Sequence, residues 1–104
     1  MQNCKEASMG TTRPKAESTI QVENDRVIVT EWRLEPNAET TWHRHGYDYV
    51  IVPQTTGKLL LEADGGETVS ELVSGQAYAR PAGVEHNTIN ANDYEFVFVE
   101  IELK

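Results

Sequence analysis

Apolar and polar residues alternate with a period of two over most of this chain. Thr19-Ile20-Gln21-Val22-Glu23 alternates, Asn24-Asp25 supplies a turn, and Arg26 to Leu34 continues as a run rich in β-branched residues, which together predict a hairpin. Pro36-Asn37 interrupts the run, and Asn tolerates the left-handed backbone of a tight turn. Further strands are expected at Thr41 to His45, Tyr49 to Val52, Lys58 to Ala63, Glu67 to Val73, Gln76 to Arg80, His86 to Ile89 and Tyr94 to Leu103. The breaks between them are Pro53, Asp64-Gly65-Gly66, Ser74-Gly75, Pro81-Ala82-Gly83 and Asn90 to Asp93. Nowhere do apolar residues recur at helical spacing over three turns. Short, evenly spaced strands separated by turn residues predict an all-β barrel or sandwich. In the last strand Val97, Val99, Ile101 and Leu103 read as the packed row, and Glu100 and Glu102 as a solvated face.

Composition adds limits to this pattern. The 104 residues, 38% of them hydrophobic, suffice for one domain with one core. Residues 1–15 are small, polar or charged and are expected to form a loose N-terminal arm, with the barrel domain occupying 16–104. Nine Lys plus Arg against 17 Asp plus Glu give a net charge of −8. Without a basic cluster to displace counterions, nucleic acid is not an expected partner. No stretch of about 18 apolar residues is present to span a bilayer, and the N-terminus lacks the apolar core of a secretory signal, so a cytoplasmic protein without a membrane partner is expected. The one cysteine, Cys4, has no intrachain partner, so no disulfide framework is available.

The three histidines fall in two places, His43 and His45 in one strand and His86 after Pro81-Ala82-Gly83. Residues two apart in a strand share a face, so His43 and His45 can hold one ion or can be a surface pair. A third histidine from a neighbouring strand favours the ion, because three protein ligands leave positions open for water or substrate.

These residues resemble the two motifs of the cupins. Gly75, Pro81, Gly83, His86 and Asn90 match the second motif, G-x5-P-x-G-x2-H-x3-N, at every spacing. In the first, G-x5-H-x-H-x3,4-E-x6-G, His43, His45 and, with the longer spacing, Gly57 match, while Asn37 replaces the first Gly. The resemblance implies a double-stranded β-helix, or jelly-roll, barrel. Its mouth would hold one divalent transition metal (Fe, Mn, Ni, Co or Zn) on His43, His45 and His86. It also implies a homodimer, with Asn90 stabilising a turn and Gly75, Pro81 and Gly83 shaping the backbone.

The family's Glu is missing, since Tyr49 and Val50 occupy its place. Three outcomes stay open: no fourth protein ligand, Tyr49 from the face shared with the histidines, or Asp48 brought inward by a glycine bulge at Gly46. Arg80 shares a face with Tyr78 and is either a clamp on a substrate carboxylate or an arginine paired or stretched along the rim. Trp32 and Trp42 are expected to face away from the histidines, into the core or a dimer interface. Two functions compete. One is a metal-dependent enzyme, an oxygenase or isomerase, acting on a small and anionic organic ligand; the other is a non-catalytic binding or sensing barrel with a structural metal or none.

Overall fold

A computed structural model describes residues 12–104. Among these the chain forms nine strands and no helix: β1 (Glu17–Glu23), β2 (Val27–Leu34), β3 (His43–Arg44), β4 (Asp48–Pro53), β5 (Gly57–Ala63), β6 (Gly66–Leu72), β7 (Tyr78–Arg80), β8 (Glu85–Asn90) and β9 (Phe96–Leu103). They build two antiparallel sheets, ordered β1-β2-β9-β4-β7 and β3-β8-β5-β6. This is the all-β double-stranded β-helix that the strand spacing and the two motifs predict. Leu34, Ala38, Tyr49, Ile51, Leu59, Leu72, Phe96 and Phe98 fill the space between the sheets.

Most of the expected N-terminal arm, and Cys4 with it, lies outside the described residues. Residues 14–16 run along the four-stranded sheet. The Glu39 N–H donates to the Pro14 carbonyl at 2.9 Å, the Ala16 N–H donates to the Glu39 carbonyl at 2.9 Å, and Lys15 Nζ donates to the Glu39 carboxylate at 2.6 Å.

The turns follow backbone demand. Asn37, at the position where the cupin motif has Gly, has φ 68°, and Gly75 and Gly83 have φ 83° and 97°. This left-handed region is open to Gly and tolerated by Asn. The strand expected from Thr41 to His45 is shorter, only His43–Arg44. Thr41 itself has φ 75°, a conformation that a β-branched residue rarely adopts and that interrupts extension.

Two expectations about facing are reversed. On β9 the inward row is Phe96, Phe98, Glu100 and Glu102, while Val97, Val99, Ile101 and Leu103 point outward. Glu100 is only 8% exposed, so it is not on a solvated face. The physical reason is that the barrel interior is apolar at its closed end and polar at its mouth, so the inner row changes character halfway along the strand. Trp32 likewise faces inward, stacked on Phe98 at 6.4 Å between ring centroids, with its Nε1–H donating to Glu100 Oε1 at 3.4 Å. Trp42 lies in a bend and is half exposed.

The closed end is tied by Asn90, 2% exposed. Its Nδ2 donates to the carbonyls of Leu34 at 2.9 Å and Tyr94 at 2.8 Å. Its Oδ1 accepts from the Asn92 N–H at 2.9 Å and from Asn92 Nδ2 at 2.7 Å. A buried amide with both ends satisfied joins β2, β8 and the turn before β9, and removing it strands the buried Leu34 carbonyl and frees the part-buried one of Tyr94. Asn90→Ala is therefore expected to lower stability by about 2–4 kcal/mol, read as a reduced denaturant midpoint with unchanged slope; a loss under about 0.5 kcal/mol would contradict the clamp.

Candidate metal centre

β3 pairs with β8 so that His43 stands directly opposite His86. His45 follows two residues on, where its N–H donates to the Val84 carbonyl at 2.9 Å and its own carbonyl accepts from the Gly83 N–H at 2.8 Å. The left-handed backbone of Gly83 thus fixes the loop that holds His45. The result is convergence of three ring nitrogens: His43 Nε2 is 3.0 Å from His45 Nε2, which is 3.2 Å from His86 Nε2. Among the described residues these three form the group whose ligand atoms all lie within 4.8 Å of one another.

Their protonation suits a cation. His43 Nδ1 lies 2.9 Å from the Thr41 carbonyl, which can only accept, so Nδ1 carries a hydrogen and Nε2 faces the centre. Burial, reinforced by His43 and His86, lowers His45 to a pKa of about 4. Burial, with His43 and Arg80, lowers His86 to about 4 as well. Lone pairs 3.0 Å apart repel unless a proton or a metal ion lies between them. A hydrogen on Nε2 of one neutral ring bridges such a pair, whereas one metal ion accepts all three lone pairs. Separations of 3.0 and 3.2 Å also suit neighbouring ligands on one ion at bond lengths of about 2.1 Å. The three histidines therefore fit a single divalent ion.

The triad sits in the wall of a cavity of about 310 Å³ lined by both sheets. Tyr49, 2% exposed, stacks on His45 with centroids 3.8 Å apart and planes 17° from parallel. It braces that ring, and burial raises its phenol to about 12. Asp48 is the next residue but starts on the other face of β4, where its carboxylate accepts the Ala82 N–H at 2.8 Å. Tyr78 and Arg80 lie side by side on β7 and line the cavity. The Arg80 guanidinium sits 4.7 Å above the Tyr78 ring and donates to the Ala79 carbonyl at 3.0 Å. Among the described residues no carboxylate lies within ion-pair reach of Arg80. Arg44 at the mouth pairs with Glu85 at 3.7 Å.

Sequence reasoning missed Glu100. Burial, with Glu102 adding to it and the Trp32 hydrogen bond opposing it, raises its carboxyl to about 7. Its Oε2 lies 3.6 Å from His45 Nδ1, but with His45 near 4 and Glu100 near 7 both groups are neutral between those values and do not form an ion pair. The signal was present in Phe96 and Phe98, whose parity Glu100 shares and whose bulk marks the inner row better than valine does.

No protein-family model matches the chain. It is 62% identical over 92 residues to the Beta-alanine degradation protein BauB of Pseudomonas aeruginosa, covering 88% of this chain and 97% of that one. A cupin domain from Bordetella pertussis superposes with a TM-score of 0.90 at 60% identity, over 91% of this chain and 99% of that one. A protein with a double-stranded β-helix domain from Klebsiella pneumoniae shares the fold at TM-score 0.72 and 19% identity, covering 90% and 81% of the two chains.

The raised carboxyl gives a test by pH. A group whose folded pKa lies above its unfolded value stabilises the protein below the unfolded value and loses that contribution as pH rises through the folded one. For Glu100 the window runs from about 4.5 to about 7. Metal-free Glu100→Gln is expected to melt several degrees above the parent at pH 8.5 and within a degree or two of it at pH 5, since about 1 kcal/mol moves a domain of this size by about 4–8 °C. Equal melting temperatures at both pH values would show that the carboxyl is not held neutral.

Proposed function

The chain belongs to the cupin superfamily, and from that premise we propose that it holds one divalent transition metal on His43, His45 and His86 and binds a small organic carboxylate beside it. The observation that carries the reading is the convergence of three Nε2 atoms in the wall of a cavity that also holds an arginine without a carboxylate partner among the described residues. An ion on three imidazoles keeps coordination positions for a ligand and acts there as a Lewis acid. The protein's own groups do the rest. Tyr49 keeps His45 in plane by stacking. Leu59, Leu61, Val84 and Phe98 give the chamber an apolar wall. Arg80, laid on Tyr78, presents its fork of donors to an anion, the geometry that grips a carboxylate through two hydrogen bonds. With no carboxylate from this chain in the triad, the centre is one charge more positive than the family's usual site, which favours an anionic ligand.

BauB is named for β-alanine degradation, so short three-carbon carboxylates are the first probes: β-alanine, propionate and malonate. Protein purified without a nickel column is expected to carry, or to take up, close to one ion per chain. His86→Ala should lose most of that affinity. Arg80→Gln should keep the metal and weaken carboxylate binding by about tenfold or more, roughly 1.4 kcal/mol. No stoichiometric uptake of Fe, Mn, Co, Ni or Zn offered in turn would overturn the metal reading; metal without any carboxylate binding would overturn the ligand class. Because burial holds His45 and His86 near 4, protons at these two rings compete with the ion only well below the pKa of about 6.5 of free imidazole.

A further inference from the structure

The mouth of the cavity carries charges of opposite sign on one cross-strand row. On the five-stranded sheet Glu102 of β9 pairs with Tyr49 of β4, Tyr49 pairs with Arg80 of β7, and all three line the cavity. Two strand spacings, about 9.6 Å of backbone, separate the ends of the row. Side chains stand roughly perpendicular to a sheet, so the carboxylate and the guanidinium rise on either side of the Tyr49 ring, and no ion pair joins them. Neither finds a counter-charge elsewhere among the described residues. Arg80 lies 4.7 Å over the Tyr78 ring and donates to the Ala79 carbonyl, while the cross-strand neighbours of Glu102 are Ile28 and Tyr49. Glu100, two residues earlier on the same inner row, is placed differently: its Oε1 accepts from the Trp32 Nε1–H at 3.4 Å, and its Oε2 lies 3.6 Å from His45 Nδ1. It belongs to the metal side of the cavity, and Glu102 to the mouth.

We infer that the cavity takes a zwitterion, with the carboxylate of an amino acid on Arg80, its ammonium group on Glu102 and its carbon chain laid across Tyr49. The assignment rests on Arg80 as the carboxylate clamp and adds a second pole to it. Charge removed from bulk water without a counter-charge is unfavourable, and here one of each sign stands unpaired across a gap. One ligand can satisfy both. An ammonium group offers three donors, and its hydrogen bonds to a carboxylate are charge-assisted on both sides. Other small acids fit this pair of poles less well. A plain monocarboxylate leaves Glu102 without a partner, and a dicarboxylate sets a second anion against it. An α-amino acid carries both charges on one carbon, too close together to reach groups that stand two strands apart. β- and γ-amino acids separate the charges by two or three carbons and can bridge the row.

Isothermal titration calorimetry near pH 7.5 tests this, and because neither Arg80 nor Glu102 is a proposed metal ligand it can be run on the protein as purified. β-Alanine and γ-aminobutyrate should bind about tenfold or more tighter than propionate and glycine. Glu102→Gln, which removes the charge and keeps the size, should bring β-alanine down to the level of propionate and leave propionate within about a factor of three of its parent affinity. Glu102→Lys should reverse the order, so that malonate binds more tightly than β-alanine. Propionate or glycine binding as tightly as β-alanine to the parent would overturn the zwitterion and leave the carboxylate clamp standing, whereas no binding by any of these acids would overturn both. A preference for β-alanine over propionate that survives Glu102→Gln and Glu102→Lys, with the parent's β-type circular dichroism retained, would overturn the placing of the ammonium group on Glu102.

Discussion

Three imidazole Nε2 atoms converge in the wall of a cavity, and the surrounding structure lowers the proton affinity of two of the rings. Burial makes the charged forms of His45 and His86 costly, and the Thr41 carbonyl accepts the Nδ1 hydrogen of His43, which leaves its Nε2 toward the centre. What is left is a set of lone pairs whose mutual repulsion a metal ion removes. The local backbone accepts strain to reach this state: Thr41 is a β-branched residue held at φ 75°, a placement that costs on the order of 1–3 kcal/mol. It stands two residues before the first ligand. The direct pairing of His43 with His86 then depends on the short strand β3, which no apolar residue anchors.

The fold was legible in the sequence because its rules are local. Period-two alternation, Gly and Pro punctuation and the motif spacings each constrain a few neighbouring residues, and the nine strands appear within about two residues of the expected bounds. The triad was legible for a related reason: His43 and His45 are neighbours, and Pro81 and Gly83 set the approach to His86. Facing was less legible. Alternation along Phe96 to Leu103 is equally well drawn with either row inside, since valines and phenylalanines are both apolar, and only the strand pairing decides. The error fell on Glu100 because a carboxylate in a barrel looks like surface until its neighbours are known to be Trp32, His45 and Tyr49.

The five-stranded sheet serves both the core and the cavity. Its inner side changes from Leu34 and Phe96, fully buried, to Glu100, Tyr78 and Arg80 at the mouth, so the same strands supply a rigid core and a polar site. The three histidines lie across the cavity from this sheet, His43 and His86 on β3 and β8 of the other sheet and His45 just after β3. The outer side, by contrast, is apolar along its centre.

Charge in the cavity turns on two features. Tyr49 and Val50 stand where the family's motif has its Glu, and Arg80 has no carboxylate partner among the described residues. The nearest inward carboxyls, Glu100 and Glu102, sit on β9, across β4 from Arg80 on β7, and burial keeps Glu100 largely protonated below about 7. Ionisation of Glu100 above about 7 adds a negative charge to a cavity that Arg80 and Glu102 also line. The Trp32 Nε1–H, which favours the ionised form, is too long at 3.4 Å to offset the loss of solvent.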